Sequence, residues 1–335
     1  MVVLRDGMCP GLSEEMVVAL RAADITTVED LLSSDTEDLA QKCSVSYKAL
    51  LAVRRVLLAQ HTAFPVSGDD LYEDLMSSTA IVSTGNSSLD KLLDSGLYTG
   101  ELTELAGGPG SGKTQVCFGV TVNISYQLKQ SVIYIDSTGG LSASRLLQIL
   151  QKICKLEEQM EALQRIQVYR VFDIFSLIDC LQSLQCTGLQ RASAGGGSVK
   201  AVIVDSVSAV ISPILGGKQN EGMSMMMQVA GVLKTIAKDF NVAVLVTNTV
   251  TRDCNGNLKA GLGQSWSHVP RTRIILQRFE SPGSTCSSLR TATLAKSSRQ
   301  PCLLKEEFDL QCWGRSEDQL YEVSGKRKLE KNSPY

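Results

Sequence analysis

The chain has 335 residues, 43% of them hydrophobic and 20% charged, with only 8 prolines. That composition excludes wholesale disorder and a collagen-like chain, and the length suits about two domains, or one large α/β domain with a small companion. A net charge of −2 excludes a blanket electrostatic grip on nucleic acid, so any such contact must be local. No run reaches the roughly 18 apolar residues that a membrane span needs. Arg5 and Asp6 interrupt the N-terminus before a signal-peptide hydrophobic region, and the 10 cysteines are scattered without a CxxC pair, which predicts reduced thiols in the cytosol or nucleus. Two histidines speak against a histidine-rich zinc site.

Helical patterns come first, at about 13–23, 27–33, 35–42 and 46–60. Thr26 with Glu29, and Ser34 with Glu37, have capping-box spacing. Leu50, Val53 and Leu57 share one face of the last helix, with Tyr47 and Leu51 beside them. Residues 61–80 contain Pro65, Gly68 and an acidic stretch and read as a linker. From 81 onward, short β-branched runs alternate with helical stretches: 102–106, 132–136, 166–171, 201–205, 242–247 and 273–277. This pattern predicts βαβ units and a mostly parallel sheet. Residues 186–199, with Gly195, Gly196 and Gly197, read as a flexible surface loop. Charge is segregated: residues 1–80 balance to −7 and residues 250–303 to +6, which suggests two surfaces with different partners, or solvated faces with no such meaning.

Gly107, Gly108, Pro109, Gly110, Ser111, Gly112, Lys113 and Thr114 match GxxxxGK[ST] between a predicted strand and a predicted helix. Glycines turn backbone amides toward phosphate oxygens, and the helix N-terminus adds positive potential. Lys113 is expected at the β- and γ-phosphates and the Thr114 hydroxyl on magnesium. Asp205 ends the apolar run 201–204, where a carboxylate near the magnesium belongs. The cofactors predicted are ATP and magnesium.

The stretches STGNSSLDKLLDSGLYTGELTELAGGPGSGKTQVC (83–117), YIDSTGGLSASRLLQIL (134–150), VIVDSVSAVISPILGG (202–217), VTNTVTRD (246–253) and LGQSWSHVPRTRIIL (262–276) resemble the RecA-family core of eukaryotic strand-exchange recombinases. GLYTGELTE, SYKALLAVRRVLLAQ and AKSSRQP are similar to one branch of that family, its D-type paralogues, which serve homologous-recombination repair. The resemblance implies an α/β RecA-like P-loop ATPase core with a mostly parallel sheet over 81–320. A small all-helical N-terminal domain (1–60) and a linker (61–80) precede it, and a flexible tail (321–335) ends the chain.

Departures from the family pattern bear on activity. Thr138 stands where the family carries the glutamate that orients the attacking water, and the loss of a positioned base costs about 10²–10⁴ in rate. Thr249 stands where the family reads the γ-phosphate with a glutamine. The expectation is an ATP-binding protein with at most slow, DNA-stimulated hydrolysis, although Asp136 or a carboxylate in trans is a substitute base. Arg145 matches the family arginine that covers the adenine, or is a helix-surface arginine. Lys296 and Arg299, near Pro301, fall in the segment that the family presents to a neighbouring subunit's nucleotide, or on a solvated edge. Phe64 resembles the linker phenylalanine that enters the next subunit, with Ser67 in place of the family's alanine, or it packs on its own domain.

The family's two DNA loops correspond to 211–222, with Lys218, and 250–263, where Arg252 and Lys259 supply phosphate contacts without an aromatic stacking platform. Trp266 and His268 are expected to pack locally, and Met223, Met225, Met226 and Met227 to fill a helix core. The basic run 325–331 is either an import patch or a solvated tail. The function implied is that of a subunit in a nuclear hetero-oligomer of recombinase paralogues. It would bind single-stranded DNA and assist assembly of the strand-exchange recombinase, with no membrane partner. The alternative is an autonomous DNA-dependent ATPase performing strand exchange. RecA-like helicases and clock ATPases fit the core but not the helical domain.

Overall fold

Side-chain caps and one apolar face per helix shape the first part of the chain. The structure, a computed structural model, describes residues 2–61, 65–187, 189, 197–216, 219–252, 256, 258–279, 288–311 and 313. It divides into a unit over Met1–Ser77 and another over Ser78–Tyr335. In the first unit, α1 (Glu14–Ala22), α2 (Val28–Ser33), α3 (Thr36–Lys42) and α4 (Tyr47–His61) match the predicted pattern closely. Their caps differ. The capping box is Thr27 with Asp30, one residue past the expected pair, because burial of Val28 and Leu31 fixes where α2 must begin. Asp35, not Ser34, caps α3, accepting the amides of Glu37 at 2.8 Å and Asp38 at 3.1 Å. Ser34 instead ends α2, its hydroxyl donating to the Asp30 carbonyl at 2.6 Å. Leu50, Val53 and Leu57 are fully buried against Leu4, Leu20 and Leu31, whereas Tyr47 is exposed.

The expected linker carries a helix. Ser67 accepts the amide of Asp70 at 3.2 Å and starts α5 (Gly68–Ser78), whose first turn holds Asp69 and Asp70, where the helix dipole favours them. Pro65 and Gly68 therefore lead into a helix where they were expected to keep the segment irregular. No residue of α5 is buried.

The second unit contains, in order, β1 (Ile81–Val82), α6 (Ser87–Leu92), β2 (Leu97–Tyr98), β3 (Leu102–Gly107), α7 (Lys113–Val122), β4 (Ser131–Asp136), α8 (Ala143–Leu150), α9 (Leu156–Gln164), β5 (Ile166–Arg170) and α10 (Ile174–Thr187). Then come β6 (Val199–Asp205), α11 (Val207–Leu215), α12 (Gln219–Asp239), β7 (Ala243–Asn248), β8 (Val250–Arg252), β9 (Leu258–Ala260), α13 (Gly263–Ser267), β10 (Thr272–Arg278), β11 (Leu289–Lys296) and β12 (Lys305–Asp309). The main sheet runs β12-β11-β10-β3-β7-β6-β4-β5, parallel from β10 to β5 and antiparallel through β11 and β12. Alternate residues of its central strands enter two different cores. Val132 and Tyr134 face one, while Ile133 and Ile135 face the other. Burial on both faces explains why these strands read as continuous apolar runs.

The edge elements escaped the sequence reading because β11 alternates small residues and β12 is Lys-Glu-Glu-Phe-Asp. The predicted loop at 186–199 starts inside α10 and ends in β6, and residues 188 and 190–196, including Gly195 and Gly196, lie outside the described residues. Among the described residues no helix is long and apolar enough to cross a membrane, and the six cysteines seen there are free thiols.

Candidate nucleotide-binding site

The site is built where β3 ends. All six residues of β3 are buried, so the chain leaves the sheet at Gly107 with its direction fixed by β10 on one side and β7 on the other. Gly110 and Gly112 take φ of +70° and +100°, which lets the loop fold tightly before α7 starts at Lys113. A Cβ at Gly107 would overlap the Ser111 hydroxyl, so only glycine fits there. The Ser111 hydroxyl is itself buried with no hydrogen-bond partner among the described residues. Lys113 folds over the loop, its Nζ donating to the carbonyls of Gly107 at 2.7 Å and Gly108 at 3.0 Å. Burial holds its ammonium below the usual lysine range, with the Asp205 charge acting in the opposite sense. A buried orphan donor, a loop with no room for a Cβ at Gly107 and a desolvated cation together fit a polyphosphate.

Asp205 ends β6, two strands from β3 and therefore about 10 Å away across β7. It is buried and accepts hydrogen bonds from the Tyr134 hydroxyl at 2.9 Å and from the Thr247 hydroxyl of β7. These two donors aim the carboxylate toward the end of the sheet where Lys113 and Thr114 stand, which suits a divalent cation between the carboxylate and the phosphates. Thr138 is exposed just past β4, its hydroxyl donating to Asp136 at 3.3 Å. Asp136 is the poorer stand-in for a base: it is buried and takes the amides of Thr138, Gly140 and Leu141 at 3.0–3.2 Å, which makes it the anchor of its own loop.

Two further groups flank the cradle. Arg145, near the start of α8, donates from Nε to Gln115 at 2.9 Å, which brings it beside the first turn of α7. From the other side, Arg290 of β11 and Leu310 line a cavity of about 340 Å³ together with Gly112, Thr114 and Gln115.

Comparison with known proteins places this architecture. The family model described as Rad51 matches residues 76–297, and that described as RAD51D, N-terminal domain, matches residues 1–60. The chain belongs to the Rad51 family. It is 57% identical over 329 residues to DNA repair protein RAD51 homolog 4 of Mus musculus, covering 98% of this chain and 100% of the relative. It is 56% identical over 312 residues to the Bos taurus protein of the same name, covering 92% and 95%. A more distant relative, probable DNA repair protein RAD51 homolog 4 of Dictyostelium discoideum, is 28% identical over 325 residues, covering 87% and 91%. The RecA-like core of the Rad51 family binds nucleotide, and the loop from Gly107 to Thr114 is where this member would hold it.

Against the Rad51 pattern, the two expected DNA loops differ in form. The first, 211–222, is largely helix, α11 running to Leu215 and α12 starting at Gln219, and Lys218 lies outside the described residues. The second is the β8–β9 hairpin, in which Arg252 and Lys259 are both exposed and Arg252 donates to the Gly256 carbonyl at 3.3 Å. Trp266 is fully buried and donates to Glu104 at 2.8 Å, but His268, expected to pack locally, is exposed. Of the methionines, Met226 is fully buried, whereas Met223 and Met227 are on the exposed side of α12, so the cluster is half core and half surface. Phe64 and the run 325–331 lie outside the described residues.

Nor does the +6 segment form one basic surface. Arg273 and Arg290 are tucked into the fold, and Arg271 and Arg299 both pair with Glu101. Arg299 also stacks 3.5 Å over the Tyr98 ring. Lys296 donates to the carbonyls of Ser267 at 3.0 Å and Pro270 at 2.7 Å, which ties the end of β11 to α13. It borders a cavity of about 500 Å³ shared with Lys234, Lys238, His268 and Arg271 at the N-terminal end of β3, opposite the phosphate loop. Sequence reasoning missed Arg290, whose arrival at the phosphate loop depends on strand order, and Glu104, which reads as an ordinary strand residue until its partners are seen.

Proposed function

We propose that this chain is an ATP- and magnesium-binding paralogue of the strand-exchange recombinases that acts in homologous-recombination repair of DNA in the nucleus. It works as one subunit of a hetero-oligomer with other recombinase paralogues, binds single-stranded DNA and assists assembly of the recombinase. The observation that carries this reading is the pairing of a complete phosphate cradle with a catalytic position filled by Thr138. Gly107 to Thr114 hold the phosphates, Thr114 and Asp205 the magnesium, and Arg145 covers the adenine. A magnesium ion held there would neutralise phosphate charge. Thr138 is no proton acceptor at neutral pH, so the nucleotide serves as an assembly signal and turns over slowly. That argues against autonomous strand exchange driven by rapid hydrolysis.

ATP with magnesium at about 100 times its dissociation constant should stabilise the fold by roughly 2.7 kcal/mol, read as a rise in melting temperature. Lys113→Ala should abolish most of that rise, since the phosphates lose their main cation. An undiminished rise in the mutant, or turnover as fast as a strand-exchange recombinase, would sink the reading.

The cavity at the N-terminal end of β3 supports head-to-tail contact. One subunit's phosphate loop lies at the opposite end of the same strand from this cation-rich hollow, so stacking unlike subunits brings phosphates to Lys296 and its neighbours. The linker with Phe64 offers one partner surface, and the core segment with Lys296 and Arg299 offers the other.

For DNA, the β8–β9 hairpin is the contact. Replacing Arg252 and Lys259 together should weaken single-strand binding uniformly across sequences and lower the salt slope by about 1.4, at about 0.7 per phosphate contact. An unchanged slope would assign the contact to another surface.

A further inference from the structure

We propose that Tyr134, together with Thr247, is a positioning residue of the magnesium site: the two hydroxyls fix the Asp205 carboxylate at the spacing from Thr114 that a magnesium-bound nucleotide needs. The proposal rests on the nucleotide and magnesium reading above and adds residues that never touch the phosphates. In the sheet β6 lies between β7 and β4, and each neighbour supplies one donor to Asp205. Tyr134 of β4 donates to one carboxylate oxygen at 2.9 Å, and Thr247 of β7 donates to the other. Strand alternation brings the three together. Tyr134, Ile203 and Leu245 belong to the core that also holds Val116 and Phe118 of α7, and Asp205 and Thr247 stand two residues further along the same faces.

Directly across the ladder from Asp205 stands Asp136, a second buried carboxylate. Like charges in register repel, and Asp136 is committed to the amides of its own loop. The side-chain donors to Asp205 are neutral hydroxyls, so they set where the carboxylate points and leave its charge for a cation. The Tyr134 ring in turn meets the Phe118 ring at 5.9 Å between centroids, tilted by 42°. Both rings are fully buried, so neither can swing without opening a void. Phe118 lies one turn after Thr114 on the same side of α7. Tyr134 therefore spans from the helix that carries Thr114 to the carboxylate on β6. Magnesium accepts only near-octahedral oxygen geometry, so this spacing decides how well the two groups can serve one ion.

The test is the ATP affinity of the full chain in excess magnesium and in EDTA, for the parent, Tyr134→Phe, Thr247→Val and Asp205→Asn. The readout is the ratio of the two affinities, which a purely structural role for the hydroxyls would leave unchanged. Tyr134→Phe and Thr247→Val should each cut the ratio about fivefold, the scale of one lost neutral hydrogen bond, with the EDTA affinity within about twofold of the parent. Asp205→Asn should bring the ratio close to one. A ratio within about twofold of the parent in Tyr134→Phe, or in Thr247→Val should the first variant not fold, overturns the proposal while the magnesium reading stands. A parent ratio of one, or an unchanged ratio in Asp205→Asn, overturns the magnesium reading and the proposal with it.

Discussion

Replacing Glu104 with alanine is expected to cost the core about 3–5 kcal/mol, the largest effect of any single charge removal here. Glu104 is fully buried in β3 and accepts from the Trp266 indole at 2.8 Å, from Asn248 at 2.7 Å and from the Arg273 guanidinium. Its removal leaves Arg273, only 11% exposed at the side chain, without its counter-charge in a setting where water cannot replace it. Three donors from three elements also lose their shared acceptor. The double replacement Glu104→Met with Arg273→Met should be far milder than the sum of its parts, because it removes both charges and keeps the volume. Thermal or urea unfolding measures both; a loss below about 1 kcal/mol for Glu104→Ala would show that the network is incidental to stability.

Trp313→Ala should cost about 3–5 kcal/mol, the range of a large buried aromatic replaced by a methyl group. Trp313 is 4% exposed, meets Phe308 edge-on at 6.2 Å between centroids, and donates to the Thr84 carbonyl at 3.0 Å. Its indole lies on Gly119 of α7, where any Cβ would overlap the ring. Gly119→Ala alone should therefore destabilise by overpacking, by about 1–3 kcal/mol. Combined with Trp313→Ala, the same substitution should recover part of the loss, since the added methyl then enters vacated space. Strict additivity of the two in a melting experiment would refute this packing account.

Legibility in the sequence depends on how far each residue's role reaches along the chain. The phosphate loop was readable because its chemistry is local: glycines, a lysine and a hydroxyl at fixed spacing after a buried strand. Thr138 and Thr249 were readable for the same reason, as departures inside short phrases that resemble the family. The capping errors at Thr26 and Ser34 arose because two adjacent residues offered equivalent side chains, and the choice between them was made by burial of Val28. The helix at Gly68–Ser78 was hidden by Pro65 and Gly68, which mark a boundary but leave the type of the next element open. Glu104 and Arg290 were invisible for a different reason. Their partners lie far off in sequence, Arg273 being 169 residues from Glu104, and only the order of strands brings them together.

That strand order also has a consequence for how the protein is made. The phosphate-loop strand pairs with β7 and β10, and its first pairing partner, Val244, is synthesised about 140 residues after Leu102. At translation rates of roughly 5–20 residues per second, β3 waits on the order of 7–30 seconds with both edges open. Its side chains are destined for burial on both faces, so during that interval it is an exposed apolar strand of the kind that aggregates. Fragments that stop before residue 243 carry the whole GxxxxGK[ST] motif but neither of the strands that fix where it leaves the sheet.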